Sequence, residues 1–273
     1  MDKIKYKFLL NLKRRDDKLN FMKFKLKDIG IKDYNIIYGI DAVSSPQTDH
    51  LYENYCKNTI NEKKIISKKS VFAIILSYKL IYEKVLHLND EENILIFEDD
   101  IIFHKDFNKF DIPLDYDVLY LGANQLKWKD NYKGNYKFDS NEENITYGIY
   151  GTILKVKFVR KFYYSNLIDL LSIRKPLDYL IWEYVVNNNI SNLVLYPNLI
   201  IPNLLNSDNM GNRDMIKISK AKKWNLNNYK YINLELKYYK IYKMSKKMDI
   251  RKIKGHIDWL YFDTIYKIVN GEY

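Results

Sequence analysis

The sequence predicts an α/β protein with a mainly parallel sheet between layers of helix. Three observations carry that reading. Short apolar runs rich in Ile, Leu, Tyr and Phe alternate along the chain with segments of helical periodicity. The run "ILIFEDDIIF" (94–103) is apolar on both sides of three acids, as expected of strand covered on both faces. The chain has 273 residues, 47% of them hydrophobic, and only nine Gly and five Pro, which suffices for one sizeable core with an appendage.

Taken in order, Tyr6 to Asn11 reads as the first strand. Asp16 or Asp17 then caps a helix whose apolar stripe is Leu19, Met22, Leu26 and Ile29, and Gly30 ends it. Tyr34 to Tyr38 is a second strand, completing a β-α-β unit. Residues 44–66 lack clear periodicity and read as loop with one short helix. Ser67 is positioned to cap a strong amphipathic helix carrying Val71, Ile74, Ile75, Tyr78, Ile81, Tyr82 and Val85. Strands follow at Asn93 to Phe97 and Asp117 to Leu121, separated from the next by a polar loop over 123–144. "ITYGIYGTILKV" alternates like a strand, with Gly148 and Gly151 allowing close backbone approach. Helices over 157–171 and 176–187 and a strand at 193–196 complete the pattern. The last 60 or so residues read as one or two amphipathic helices. In such a fold, ligands bind at the C-terminal ends of the strands.

Composition narrows the class further. The opening "MDKIKYKFLL" is too charged for a signal peptide, and no run reaches the roughly 18 apolar residues of a membrane span. Cys56 is the only cysteine, which rules out an intrachain disulfide or a multi-cysteine zinc site, so a reducing cytoplasm is the expected location. The net charge is +11, and its excess sits in residues 213–256, with 14 Lys and Arg against three acids. No zinc-finger, helix-turn-helix or RNA-recognition signature accompanies it, so specific nucleic-acid binding is not expected.

The chemistry concentrates at two strand ends. In an extended strand Glu98 and Asp100 share one side and Asp99 takes the other. Two carboxylates at that spacing offer hard oxygens to Mg²⁺ or Mn²⁺ shared with substrate phosphates, although the triplet alone also reads as an acidic turn. The first strand ends in "NLKRRDDK", where Arg14 and Arg15 open a turn into a helix. That arrangement suits phosphate, or else a solvated helix start. Together the two ends suggest a nucleotide diphosphate bridged to a metal.

These motifs resemble those of the family 25 glycosyltransferases. "FLLNLKRRDDKLNFMKFKLKDIGI" is similar to the family's strand, Arg-rich turn and helix. "YGIDA" (38–42) resembles its second-strand element, with Ala42 where Gly is usual. "FAIILSYKLIYEKVL" resembles the helix with a Ser-His pair, Tyr78 standing in place of His. "ILIFEDDI", "DVLYLG", "YGIYGTILKV", "PLDYLI" and "YPNLIIPNLLNSD" then fall in the family's order, over roughly residues 4–210. A Gln common near the late proline is absent, and Asn203 is the nearest polar residue.

The resemblance implies a GT-A-type fold over 1–212, with 213–273 as a basic helical extension packed on it. It implies a UDP-sugar donor, a divalent cation (usually Mn²⁺), and inversion at the anomeric carbon. Asp100 would ligate metal, Glu98 and Asp99 would contact metal or ribose, and His256 would complete the coordination. Asn11, Arg14, Arg15, Asp41 and Ser77 would line the nucleotide pocket, with Ser77 equally readable as a packed helix residue. Inversion needs a general base opposite the leaving group. Asp178 matches the family's late acid and also reads as a helix cap, and Asp208 is the second candidate, as base or as extra ligand. The transferred sugar would be galactose, glucose or N-acetylglucosamine, and the acceptor a glycan or protein hydroxyl. The rival reading is a degenerate transferase domain that binds polyanions or a membrane surface through 213–256.

Overall fold

Strand side chains alternate between two apolar layers, which is why the strand runs are apolar at nearly every position. In the computed structural model, Phe8, Ile94, Ile96, Val118, Tyr120, Leu154 and Val194 join one buried cluster, while Leu9, Leu95, Phe97, Leu119, Ile153, Leu193 and Leu195 join the other. The structure describes residues 1, 3–59, 66–125, 136–138, 145–204, 207–208, 214–247 and 259–272.

Five strands run parallel: β1 (Tyr6–Asn11), β2 (Asn35–Tyr38), β3 (Asn93–Glu98), β5 (Val118–Tyr120) and β10 (Asn192–Tyr196). They form two groups, β2-β1-β3 and β5-β10. Between the groups lies β9 (Gly151–Lys155), antiparallel to β3 and to β5. Strand β7 (Tyr136–Phe138) closes the edge antiparallel to β10. Two small ribbons sit beside this sheet. One pairs β4 (Ile101–Phe103) with β11 (Ile200–Pro202), and the other pairs β6 (Asn124–Gln125) with β8 (Thr146–Tyr147).

Helices cover both faces. On one side lie α2 (Pro46–Thr59), α3 (Lys69–Val85), α4 (Val156–Asn166) and α5 (Leu177–Asn187). On the other, α1 (Asp16–Asp28) buries Leu19, Met22 and Leu26 against the sheet. Each such aliphatic side chain, fully buried, contributes about 1.5–3 kcal/mol. Helix α1 ends in a Schellman motif: Gly30 has φ +79°, its N–H donates to Lys27 O, and the Ile31 N–H donates to Leu26 O.

Several local expectations change. The N-cap of α1 is Arg15, with no side-chain cap; Asp17 holds the Arg15 guanidinium instead. Lys68, not Ser67, is the N-cap of α3. Residues 46–59 form a 14-residue helix, longer than the one short helix expected within a loop there. Its apolar stripe is thin, and its anchor is polar: the Tyr55 hydroxyl donates to Ile173 O and accepts from Ile66 N–H. Among the described residues the C-terminal part supplies three α-helices, α6 (Met215–Ala221), α7 (Ile232–Ser245) and α8 (Trp259–Asn270). Helices α7 and α8 pack on a second face of α1, where Phe21 stacks on Tyr238 with centroids 4.7 Å apart, beside Leu234, Ile265 and Ile268.

Candidate active site

The acidic run does not continue the strand. β3 ends at Glu98, the chain turns at Asp99 and Asp100, and β4 resumes the extended path. Alternation therefore fails beyond Glu98, which corrects the expected side-sharing of Glu98 and Asp100. Glu98 faces α3, where the Tyr78 hydroxyl lies 3.0 Å from its Oε1 and 2.9 Å from Ile149 O. Asp99 and Asp100 both turn to the Lys18 ammonium of α1, at 3.2 and 3.3 Å. Burial, reinforced by the charge of Asp100, pushes the Glu98 carboxyl up to about 8, and Tyr78 offsets part of that. Burial likewise raises Asp99, with Lys18 opposing, to about 6.

The basic turn after β1 meets this acidic turn through Asp208. Lys18 Nζ lies 2.9 Å from Asp208 Oδ2, Arg14 Nη2 lies 2.9 Å from Oδ1, and Arg15 also pairs with it. Burial alone would raise the Asp208 carboxyl, but Lys18, Arg15 and Arg14 together hold it below the usual range. The two arginines part company. Arg14 also donates from Nε to Asp41 at 2.7 Å and lines the cleft, whereas Arg15 forms a two-pronged contact with Asp17, 2.8 Å on each prong, and does not. Asp41 is fixed in turn by the Val43 N–H and the Ser44 hydroxyl. Ser77 stitches α3 to that loop, accepting from Ile40 N–H at 2.8 Å and donating to Ala73 O at 2.7 Å.

A cleft of about 540 Å³ opens over these groups at the C-terminal ends of β1 and β3. Asn11, Arg14, Asp41, Ser77, Glu98, Asp99, Asp100, Asp178 and Asp208 all line it. Asn11 is 2% exposed; its amide donates to Leu12 O, and its Oδ1 is buried without a hydrogen-bond partner among the described residues. Across the cleft, Asp178 is the second residue of α5, whose N-cap is Pro176, so it does not cap the helix in the expected way. Its Oδ2 accepts from the Gly148 N–H at 3.0 Å and its Oδ1 from its neighbour's N–H at 2.9 Å. Burial raises its carboxyl above the ordinary value, and the backbone donors offset only part of the rise.

The donor atoms suit a hard divalent cation in kind, since Asp99, Asp100 and Asp208 present carboxylate oxygens. Among the described residues no group of three or more His, Cys, Asp and Glu could hold a metal ion by itself. His256, the expected third ligand, lies outside the described residues.

Behind the acidic turn runs a buried polar network that sequence reasoning missed. Lys25 of α1 pairs with Glu235 of α7 at 2.6 Å and also donates to Ile101 O. Glu235 accepts from the Asn203 side chain as well, and the Asn203 N–H donates to Asp100 O at 2.5 Å. Lys18 was missed too. The available signal was the spacing of Lys18, Phe21 and Lys25 along one helix face, which places two lysines beside an aromatic residue rather than in open solvent.

The doubly covered, mostly parallel sheet with its cleft at the strand ends is a Rossmann-like glycosyltransferase fold. Residues 4–164 match the model of glycosyltransferase family 25 (LPS biosynthesis protein), and the chain belongs to that family. Glycosyl transfer is therefore its function, which calls for a glycosyl donor and an acceptor. The matched stretch includes both β-strand ends and stops before Asp178 and Asp208. No curated protein matches the sequence. No helix among the described residues is long and apolar enough to cross a membrane.

Proposed function

We propose that this family 25 member is an inverting transferase that moves a hexose (galactose, glucose or N-acetylglucosamine) from a UDP-sugar to a hydroxyl of a glycan acceptor. The observation that carries the reading is the convergence of Asn11, Arg14, Asp41, the acidic turn and Asp178 on one cleft. The orphaned, buried Oδ1 of Asn11 calls for a donor on the ligand, and the imide N–H of uracil is such a group. Asp41 can accept from ribose hydroxyls, and Arg14 can pair with the diphosphate. Asp100, with Asp99 or Glu98, would hold Mn²⁺ or Mg²⁺ jointly with the phosphates. When bound, the cation would neutralise the diphosphate as it leaves. The family's association with LPS biosynthesis favours a glycan over a protein acceptor.

For the base, the environments of the two late acids point apart. Asp208 faces three cations that hold its carboxyl low, which makes it a weak proton acceptor. Asp178 is raised by burial and faces the same cleft, which suits a group that must take a proton near neutral pH. In the transfer step the acceptor oxygen attacks the anomeric carbon and its proton passes to the Asp178 carboxylate. The bond to the UDP oxygen breaks with its electron pair, and configuration inverts.

A screen of UDP-sugars for Mn²⁺-dependent UDP release, with and without glycan acceptors, tests the reading. Asp178→Asn should keep donor affinity and lose roughly 10²–10⁴-fold in transfer. Absence of UDP binding, or an Asp178→Asn variant as active as wild type, would overturn it.

A further inference from the structure

A lysine on a helix is normally solvated, because burying an ammonium is costly unless it is paired. Lys18 is 2% exposed, and its three N–H bonds have three carboxylates to meet: Asp208 at 2.9 Å, Asp99 at 3.2 Å and Asp100 at 3.3 Å. Those acids come from two segments far from α1 in sequence, and Arg14 and Arg15 balance the remaining charge on Asp208. The ammonium thus stands where the hard oxygens of the acidic turn come together. A divalent ion seeks the same oxygens. Taking Asp99 and Asp100 from Lys18 would leave the buried ammonium with Asp208 alone, unless another anion arrives for it.

We propose that Lys18 is the resident cation of the acidic turn, and that a divalent ion gains Asp99 and Asp100 only in company with a nucleoside diphosphate. The proposal rests on the UDP-sugar reading. A diphosphate supplies what the protein lacks for a metal, namely further oxygens, and it offers Lys18 a replacement partner. Metal and nucleotide are then coupled ligands, each tightening the other by the same factor. Lys18 is the residue that sets the factor by penalising the metal when it comes alone.

The test is Mn²⁺ binding to the full chain, read by the electron paramagnetic resonance of unbound Mn²⁺, with and without UDP. Wild type should bind Mn²⁺ about 5–150-fold more tightly with UDP present, the usual span of coupling between two sites. Lys18→Met should bind Mn²⁺ alone at least about tenfold more tightly than wild type, shrinking the coupling, because the carboxylates then lack their cation. Lys18→Arg keeps the charge and should behave as wild type, which keeps the proposal open to refutation if the methionine variant does not fold. Equal Mn²⁺ affinity with and without UDP in wild type would overturn this proposal while leaving the donor assignment intact. Failure of UDP to bind under any condition would overturn the donor assignment and the proposal together.

Discussion

Replacing Glu235 with alanine probes whether helix α7 supports the site. The substitution leaves the Lys25 ammonium, 0% exposed, facing the Ile101 carbonyl and the ring of Phe21 at 5.0 Å. Removing one member of a buried ion pair costs about 3–5 kcal/mol, because the other charge stays buried without its counter-ion. Set against the roughly 5–15 kcal/mol that holds a domain folded, this is a large fraction. It corresponds to a fall in Tm of about 6–20 °C, at about 2–4 °C per kcal/mol for a chain of this order of size. Equilibrium urea unfolding followed by circular dichroism measures it. UDP affinity of the folded variant should fall as well, since Asn203 loses an acceptor while its N–H holds the carbonyl of Asp100. The double variant Lys25→Met/Glu235→Leu should recover most of the stability, because no charge is left buried. A single variant that costs less than about 1 kcal/mol, within the range of an exposed pair, would refute the reasoning.

Three further outcomes follow from the same geometry. Arg14→Ala should weaken UDP binding by about 1.5–3 kcal/mol in calorimetry, the worth of a charge-assisted contact, whereas Arg15→Ala should act on stability, since Asp17 and Asp208 occupy its guanidinium; equal loss of affinity in both would contradict the placement. Because burial raises the Asp178 carboxyl, the low-pH limb of kcat/KM should lie above the ordinary Asp range and vanish in Asp178→Asn. The sign for stability is opposite to that of an ion-paired acid: the folded state holds this proton more tightly than the unfolded one, so the contribution is lost as pH rises through the folded-state value. A Cβ at Gly122 would overlap the Ile200 carbonyl where β5 runs on toward β11, so Gly122→Ala should cost about 1–3 kcal/mol in urea unfolding; a cost near zero would show that the β4–β11 ribbon can shift freely.

What could be read from the sequence were the parts governed by local rules. The strand runs 6–11 and 93–97, the α1 stripe and its Gly30 ending, and the placing of Asn11, Arg14 and the acidic residues at strand ends follow from periodicity and turn chemistry, while Asp41 was legible only through the family resemblance. The rest depended on partners remote in sequence. Lys18 looks solvated until Asp99, Asp100 and Asp208 are brought to it, and Lys25 until Glu235 arrives. The alternation argument at Glu98 to Asp100 failed because the backbone turns there, as the other reading of the triplet, an acidic turn, had it. Tyr78, the departure from the Ser-His pair of the resemblance, places its hydroxyl against Glu98, a contact that depends on a residue 20 positions away.

The placing of β9 has a consequence for how the chain is made. Strands β2, β1 and β3 are all synthesised by Glu98, yet the far side of β3 pairs with residues 151–155. Lys155 follows Glu98 by 57 residues. At about 5–20 residues per second, the apolar edge Ile94 to Phe97 waits roughly 3–11 s for its neighbour. Such an edge invites pairing with other chains. Slower translation or higher expression should therefore raise the insoluble fraction of this protein, and a chain ended between Phe103 and Tyr150 should aggregate even though it carries the whole acidic turn.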